Sequence, residues 1–371
     1  MSENRSVVIY FSGLNGLRAI AALGVLFVHI TQAMSHFGLN PYVFGETNSN
    51  SIAIYRIALY SVSIFFGISG FLITYLLLKE KEKGSINIKY FYLRRVLRIW
   101  PLYYLYLSLA LITNWILGNP IDKGQLFFYL FLMANIPYVL GMSIPFLTHY
   151  WSLGVEEQFY LFWPNWVKRI KHLLSSTLIL ILIFMSLKLF FYLFAKHPIY
   201  YKLYYILDAN RFQCMLIGAV FAILYYKNNE WFVNIFSSIY AQSIAWILFF
   251  MVFTNLFRIS YFLGHELVTI ATCTIILAQI QQKNRIFNLE NRVFNFFGKI
   301  SYGIYVWHPL IILTLSKALI FKTKDSNLNY IIVYLLSFCA TILIAYLSYE
   351  YYEKQFLKLK SKFTTIKSRN S

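Results

Sequence analysis

Residues 14–33 read LNGLRAIAALGVLFVHITQA, an apolar run that contains one arginine and one histidine. A mostly apolar run of about 20 residues is long enough to cross a bilayer as a helix. Further runs of this kind lie at 54–78, 99–117, 125–141, 147–166, 175–195, 203–226, 237–257, 261–281, 300–321 and 330–352. The sequence therefore predicts an all-α fold, a polytopic transmembrane helical bundle.

The composition excludes most soluble classes of protein. Hydrophobic residues make up 59% of the chain and charged residues only 13%, whereas a soluble domain carries about 25% charged residues. The 20% aromatic content is too high for a disordered chain. The net charge of +19 does not favour nucleic-acid binding, because the basic residues lie between apolar runs and not on one soluble surface.

The positions of the basic residues predict the orientation of the chain. Lys and Arg cluster in four segments, at 79–98, 167–175, 282–299 and 354–371. Basic loops resist translocation and remain in the cytoplasm. We therefore expect all four segments, and both termini, to be cytoplasmic.

One run between the first two basic loops should not cross the membrane. Three runs lie there, whereas an even number of crossings must connect two cytoplasmic loops. Either 125–141 or 147–166 is therefore re-entrant or interfacial, and the adjacent Glu156 and Glu157 favour 147–166. We predict about ten spans, the last ending near 353. The N-terminus does not resemble a signal peptide, so the first helix is expected to remain in the mature chain.

Two ionisable residues in the first run mark a candidate site, because a charged side chain within a span costs about 2.5–3.5 kcal/mol. Arg18 and His29 are eleven residues apart, which places them on one helix face about 16 Å apart. Burial disfavours the charged imidazolium, so His29 can take a proton from a hydroxyl as a general base does. In the alternative, structural reading, Arg18 snorkels to the surface and His29 bonds a neighbouring helix.

The stretch RRVLRIWPLYY at 94–104 contains an R-x-x-R pair, Arg95 and Arg98. This spacing places both guanidinium groups on one helix face at the cytoplasmic boundary. Arginine's planar fork suits a clamp on a polyphosphate ligand. The structural alternative is anchoring of the helix by lipid phosphates.

The stretch WSLGVEEQFYLFWP at 151–164 places Glu156 and Glu157 about 100° apart on a helix, so they cannot serve one face. A buried acid together with an imidazole indicates proton handling, and the alternative is an ion pair with Arg211. Ser69, between two glycines, and His308, before a proline, are further candidates for which structural roles are favoured. The three cysteines predict neither a disulfide nor a metal site.

The order of these pieces resembles the acyltransferase-3 family of polytopic membrane acyltransferases, and the match runs through most of the chain. The motifs are GLRAIAALGVLFVH at 16–29, FFGISGFLITYLL at 65–77, RRVLRIWPLYY at 94–104, WSLGVEEQFYLFWP at 151–164, RFQCMLIGAVFA at 211–222, SYGIYVWHPLI at 301–311 and YEYYEKQF at 349–356. Two positions depart from the pattern, since Gln213 stands where many members have aspartate and Gln355 where proline is common.

The resemblance implies transfer of an acyl group, usually acetyl, from cytoplasmic acetyl-CoA to a hydroxyl of a carbohydrate. It implies one membrane-embedded domain over 1–371 with a basic cytoplasmic tail at 354–371, no appended soluble domain, and no bound cofactor or metal. The implied catalytic residues are His29, as general base or as an acyl carrier, and Glu156. The implied acyl-CoA contacts are Arg18, Arg95 and Arg98, and the other candidates are Glu157, Ser69, Arg211 and His308.

The resemblance leaves the acceptor open among O-antigen or another surface polysaccharide, a capsule repeat, peptidoglycan, a signalling oligosaccharide and a small-molecule antibiotic. We expect a bacterial surface carbohydrate such as O-antigen or exopolysaccharide, acetylated at the cytoplasmic (inner) membrane. The alternative is a proton-coupled transporter or lipid-linked glycan flippase, with His29, Glu156 and Glu157 as a proton relay. Transporters often contain related halves, and the sequence shows no such internal symmetry.

Overall fold

The computed structural model describes residues 8–46, 52, 54–254, 262–282, 284–320, 326–364 and 367–368. Parts of the predicted runs 237–257 and 261–281, and of the basic tail 354–371, lie outside the described residues.

The described residues are mostly helical. The α-helices in chain order are α1 Leu14–Gln32, α2 Tyr55–Glu82, α3 Ile88–Ile116, α4 Lys123–Leu130, α5 Asn135–Val139, α6 Trp151–Arg169, α7 Leu173–Leu193, α8 Pro198–Asn210, α9 Phe212–Tyr226, α10 Glu230–Phe236, α11 Ile239–Phe253, α12 Gly264–Gln281, α13 Arg292–Ala318, α14 Asn327–Ser348 and α15 Lys354–Lys360. Short 3-10 turns lie at Ala33–Phe37, Thr148–Tyr150 and Ser361–Phe363, and a π-helical turn at Tyr349–Glu353 joins α14 to α15. Two short strands, β1 Val8–Ile9 and β2 Lys367–Ser368, pair in parallel.

Seven helical stretches among the described residues are long and apolar enough to cross a membrane, or eight if the bent pair α10 and α11 forms one span. They are Leu14–Phe37, Tyr55–Glu82, Ile88–Ile116, Leu173–Leu193, Pro198–Tyr226, Arg292–Ala318 and Asn327–Phe363. The all-helical membrane-type fold is confirmed, and the predicted number of about ten spans is not. The helices α6 and α12 are not among these stretches, because polar residues such as Glu156 in α6 and Glu266 in α12 lower their mean hydropathy.

The run 125–141 is irregular, and neither it nor 147–166 is among the described stretches that are long and apolar enough to cross a membrane. Residues 125–141 fall into α4 and α5, which are 8 and 5 residues long, and Leu132 between them has a φ of 58°. In contrast, α6 is an unbroken helix of 19 residues. Its Glu156 accepts hydrogen bonds from Ser69 and Tyr160, so protein contacts replace water without any break in the backbone.

The first two helices lie at the centre of the bundle, where α1 packs against α2 and α13, and α2 packs against α9. A Cβ added at Gly70 would lie 2.0 Å from the backbone oxygen of Met215, and one at Gly218 would lie 2.3 Å from that of Gly67. Small residues therefore allow α2 and α9 to approach closely, as membrane helices commonly do. This contact confirms a packing role for the glycines around Ser69.

A loop carboxylate fixes the start of α1. Glu290, just before α13, accepts hydrogen bonds from the Tyr10 hydroxyl, from the Gly13 amide at 2.9 Å and from Asn295 at 2.5 Å. Partial burial alone would raise the pKa of Glu290, but these hydrogen bonds hold it below its usual range. The contacts tie the two helices that carry the candidate histidines, α1 and α13, to each other.

Candidate active site

Four histidines line one cavity, which we call the histidine cavity, and the three that are buried or half-buried come from three parts of the chain. His29 comes from α1, His149 from the 3-10 turn before α6, and His308 from α13. The cavity has a volume of about 450 Å³, within the range of about 300–1,000 Å³ that is common for small-molecule sites. Its wall also includes Gln32, His36, Tyr55, Tyr138, Thr148 and Trp151.

His29 and His308 are hydrogen-bonded to each other, with 2.6 Å between Nδ1 of His29 and Nε2 of His308. Nδ1 of His308 lies 3.2 Å from the carbonyl oxygen of Ile304. A carbonyl only accepts, so Nδ1 of His308 carries hydrogen and its Nε2, in the neutral ring, accepts from Nδ1 of His29. Since burial disfavours a charge on either ring, this pattern leaves Nε2 of His29 without hydrogen and able to accept a proton.

The local sequence explains why His308 can be held in this way. It lies one turn after Ile304 in α13, so its ring can reach back to that carbonyl. Pro309 follows within the same helix and donates no backbone hydrogen bond, which leaves the carbonyl of Tyr305, next to that of Ile304, without its helical donor. The sequence favours a structural role for His308, whereas its geometry places it directly against the candidate base.

A second, smaller cavity of about 100 Å³ contains the candidate arginines, and we call it the cationic cavity. Arg18 of α1 and Arg95 and Arg98 of α3 all line it, which agrees with the predicted common face of the R-x-x-R pair. Arg18 and Arg95 are each only 9% exposed. The cavity wall also includes Ser69, Glu156, Tyr160, Ser301 and Tyr302.

The neighbouring arginines Arg94 and Arg95 differ in their surroundings. Arg94 forms a 2.5 Å ion pair with Glu80 and donates to the carbonyl of Phe363 at 2.9 Å. The Nε atom of Arg95 is buried and has no hydrogen-bond partner among the described residues. A buried guanidinium with unused hydrogen-bond capacity is costly, and its fork suits a phosphate or carboxylate. Arg94 therefore serves the fold, and Arg95 is available for an anion.

The two adjacent glutamates face different surroundings, as predicted. Glu156 lines the cationic cavity, where Ser69 donates to Oε1 at 3.0 Å and Tyr160 to Oε2 at 3.1 Å. Glu157 lies outside that wall and accepts from the indole of Trp100 at 3.4 Å. His29 lines the other cavity, so the predicted acid and imidazole do not lie in the same cavity.

The two cavities share a wall. Val62 and Tyr305 line both of them. The Tyr305 hydroxyl lies 2.6 Å from Oγ of Ser152 and donates to the carbonyl of His149 at 2.7 Å. Arg18 in the wall of the cationic cavity and His29 in the wall of the histidine cavity lie on the same helix, α1, so the two cavities are adjacent.

Arg211 lies outside both cavities. It has a φ of 47° at the break between α8 and α9, donates to the carbonyl of Leu59 at 2.9 Å, and its guanidinium lies 5.0 Å from the centre of the Trp151 ring. Within the described part of the chain it forms no ion pair with Glu156 or Glu157. Gln213, which stands where many family members have aspartate, donates a hydrogen bond of 2.8 Å to the carboxylate of Glu266.

His149 is a site residue that the motifs do not indicate. It is 5% exposed, and its ring centre lies 5.2 Å from that of His308. The sequence contains only a weak signal for His149, because it is one further polar residue in the segment before the WSLGVEE stretch. Its position depends on the 3-10 turn folding against α13, which a single sequence does not reveal.

The helical fold and the two adjacent cavities are those expected of a membrane-embedded enzyme. The family model described as "Acyltransferase domain" matches residues 11–350. The chain belongs to the acyltransferase-3 family. It is 30% identical to a Staphylococcus aureus (strain COL) protein named "Putative O-acetyltransferase", over 94% of this chain and 58% of that protein. It is 28% identical to the peptidoglycan O-acetyltransferase OatA of Listeria monocytogenes, over 93% of this chain and 55% of that protein. The chain thus spans little more than half the length of these relatives. No solved structure matches significantly.

Proposed function

We propose that this protein transfers an acetyl group from acetyl-CoA to a hydroxyl of a cell-surface carbohydrate, with His29 as the general base. The observation that carries this proposal is the histidine pair, in which the contact with His308 leaves Nε2 of His29 free to accept a proton. Family membership and the names of the relatives support acyl transfer as the reaction class.

The donor occupies the cationic cavity from the cytoplasmic side. The phosphates of coenzyme A contact Arg95 and Arg98, with Arg18 in the same cavity. The acetyl-bearing arm extends past Tyr305, which lines both cavities, toward His29. Basic loops on this side of the membrane support a cytoplasmic entry for an anionic donor.

The acceptor occupies the histidine cavity and presents one hydroxyl to His29. Nε2 of His29 takes the hydroxyl proton as the oxygen attacks the thioester carbonyl carbon. The carbon–sulfur bond then breaks, the new ester forms, and the thiolate leaves and is protonated. Glu156, held by Ser69 and Tyr160 among the arginines, shapes the donor site and is not itself the base.

Two of the relatives direct the choice of acceptor. OatA of Listeria monocytogenes is named a peptidoglycan O-acetyltransferase, and YrhL of Bacillus subtilis carries a similar name at 25% identity. We therefore place cell-wall glycan first among the acceptors to test. O-antigen or exopolysaccharide, the acceptor expected from the sequence, is the second.

The proposal is tested with the full chain in liposomes, supplied with acetyl-CoA and with unacetylated peptidoglycan fragments or O-antigen oligosaccharides. We expect release of free thiol only when an acceptor is present, together with one acetyl mass increment on that acceptor. Thiol release that is independent of every carbohydrate would contradict the proposed acceptor class. An absence of thiol release with all of them would contradict acetyl transfer.

Direct transfer is separated from an acyl-His29 intermediate by incubating the protein with radiolabelled acetyl-CoA in the absence of acceptor. Direct attack predicts no acid-stable or hydroxylamine-sensitive label on the protein, because His29 carries only a proton. Label that appears on the wild-type chain and is lost in His29→Ala would contradict direct attack.

A further inference from the structure

The third histidine of the cavity has no role in the proton transfer described above. His149 is 5% exposed and lies in the wall of the histidine cavity. Its ring centre is 5.2 Å from that of His308, and the ring centre of His29 is 4.8 Å from that of His308 on another side. His149 and His29 are therefore separate groups that border the same space.

The orientation of His149 is fixed from several directions. Tyr106, Tyr150 and Tyr305 pack against its ring with centroid distances of 5.4, 4.9 and 5.6 Å, each in an edge-on arrangement. Its backbone carbonyl accepts the hydrogen bond from the Tyr305 hydroxyl. A ring held in this way presents its nitrogens in defined directions.

One ring nitrogen of His149 has no partner in the protein. Its Nε2 atom is buried with no hydrogen-bond partner among the described residues. A histidine ring nitrogen donates or accepts a hydrogen bond according to the tautomer, and a hydroxyl can serve as the partner in either case. An unsatisfied buried polar atom is costly, and within a cavity wall it calls for a partner supplied by a ligand.

We propose that His149 is an acceptor-binding residue, whose Nε2 forms a hydrogen bond with a second hydroxyl of the carbohydrate whose first hydroxyl faces His29. The inference rests on the proposed function for the identity of the ligand. A polyol supplies two hydroxyl donors on one rigid ring, whereas a simple alcohol supplies only one. The wall also contains Tyr138 and Trp151, which stack on each other with 5.1 Å between their ring centres, and the half-buried Tyr138 ring offers an apolar contact for a sugar.

His149 is thereby a specificity determinant and not a second base. His29 decides whether a hydroxyl reacts, and His149 decides which hydroxyl of the sugar is placed against His29. A site that hydrogen-bonds a substrate hydroxyl rejects analogues that lack it, because the group in the protein is then left unpaired.

The test is equilibrium binding of a muramyl disaccharide to the detergent-solubilised full chain without acetyl-CoA, so that it does not depend on turnover. Loss of one hydrogen bond predicts a Kd about tenfold higher for His149→Ala than for wild type. His149→Gln, whose side-chain amide can replace Nε2 as a hydrogen-bonding group, should restore most of the affinity. His172→Ala, at an exposed position outside both cavities, should bind as wild type does.

The outcomes distinguish this inference from the proposed function. Unchanged affinity in His149→Ala, equal weakening in His149→Gln and His149→Ala, or no binding by the wild type would each overturn the role of His149. Thermal unfolding of every variant identifies any loss of affinity that comes from misfolding. If His149→Ala is destabilised, the affinities of His149→Gln and of the wild type are compared instead. A protein that binds the disaccharide through His149 but releases no thiol from acetyl-CoA would contradict the proposed function alone.

Discussion

The position of one hydrogen atom determines the chemistry assigned to His29. The contact with His308 places hydrogen on Nδ1 of His29 and leaves Nε2 as the proton acceptor. If His308 were absent, the His29 ring could adopt the other tautomer or rotate, and the correct state would be only partly populated. His308 is therefore a positioning residue, since it acts through His29.

We expect His308→Ala to lower kcat by about tenfold to a hundredfold, less than the loss of the base itself, with the KM for both substrates nearly unchanged. His308→Gln, which keeps an acceptor oxygen for the Nδ1 hydrogen of His29, should recover part of the rate. Steady-state kinetics of acceptor-dependent thiol release measure both effects. An effect of His308→Ala on KM alone would contradict the positioning role.

The adjacent arginines Arg94 and Arg95 provide a matched pair for the donor site. Arg95→Ala should raise the KM for acetyl-CoA by about tenfold or more, because a charge-assisted hydrogen bond to phosphate is worth about 1.5–3 kcal/mol. Arg94→Ala removes the partner of buried Glu80 and should lower thermal stability while leaving that KM close to wild type. The reverse pattern would show that Arg94 is the donor contact.

At the scale of helices, the patterns that could be predicted were those fixed by helical periodicity. Arg18 and His29 lie on one helix, and Arg95 and Arg98 line the same cavity, because spacing along a helix determines which side chains share a face. The unbroken helix α6 around Glu156 was not predicted, because one partner of this carboxylate, Ser69, comes from α2. That contact is tertiary and has no signature in a single sequence.

The close contact between α2 and α9 can be tested at Gly70. Gly70→Ala places a methyl group 2.0 Å from a backbone oxygen of α9, which cannot move aside as a side chain can. We expect a loss of about 1–3 kcal/mol of stability from overpacking, seen as a lower unfolding temperature in detergent. Gly67→Ala first meets a side-chain methyl of Thr269, at 3.0 Å, and should cost less. Equal stability of the two variants would contradict the close contact.

At the scale of the whole molecule, a single chain places a cationic cavity and a histidine cavity on either side of Tyr305. Composition and the basic loops predict a membrane bundle and its orientation. They do not predict the two cavities, since His149, His308 and Tyr305 are distant from His29 in sequence and are assembled only by packing. The motif order indicated the family, while the pairing of His29 with His308 required the structure.

The orientation is tested by two matched substitutions at exposed serines, Ser35→Cys before α2 and Ser85→Cys after it, in a background with Cys214, Cys273 and Cys339 replaced. Because α2 crosses between them and basic loops stay inside, Ser35→Cys should react with a membrane-impermeant maleimide in intact cells. Ser85→Cys should react only after permeabilisation. The opposite labelling pattern would place the cationic cavity on the wrong side for a cytoplasmic donor.

The central claim is that His29 is the base for acetyl transfer to a carbohydrate, and the most direct measurement is single-turnover transfer of labelled acetyl from acetyl-CoA to a muramyl disaccharide. Equal amounts of His29→Ala and wild-type protein are compared at saturating substrate concentrations, once thermal unfolding has shown that their unfolding temperatures agree. We predict that the wild type acetylates the disaccharide and that His29→Ala transfers at least about a hundredfold more slowly, with binding of both substrates retained. A transfer rate in His29→Ala within a few-fold of the wild-type rate would contradict the claim.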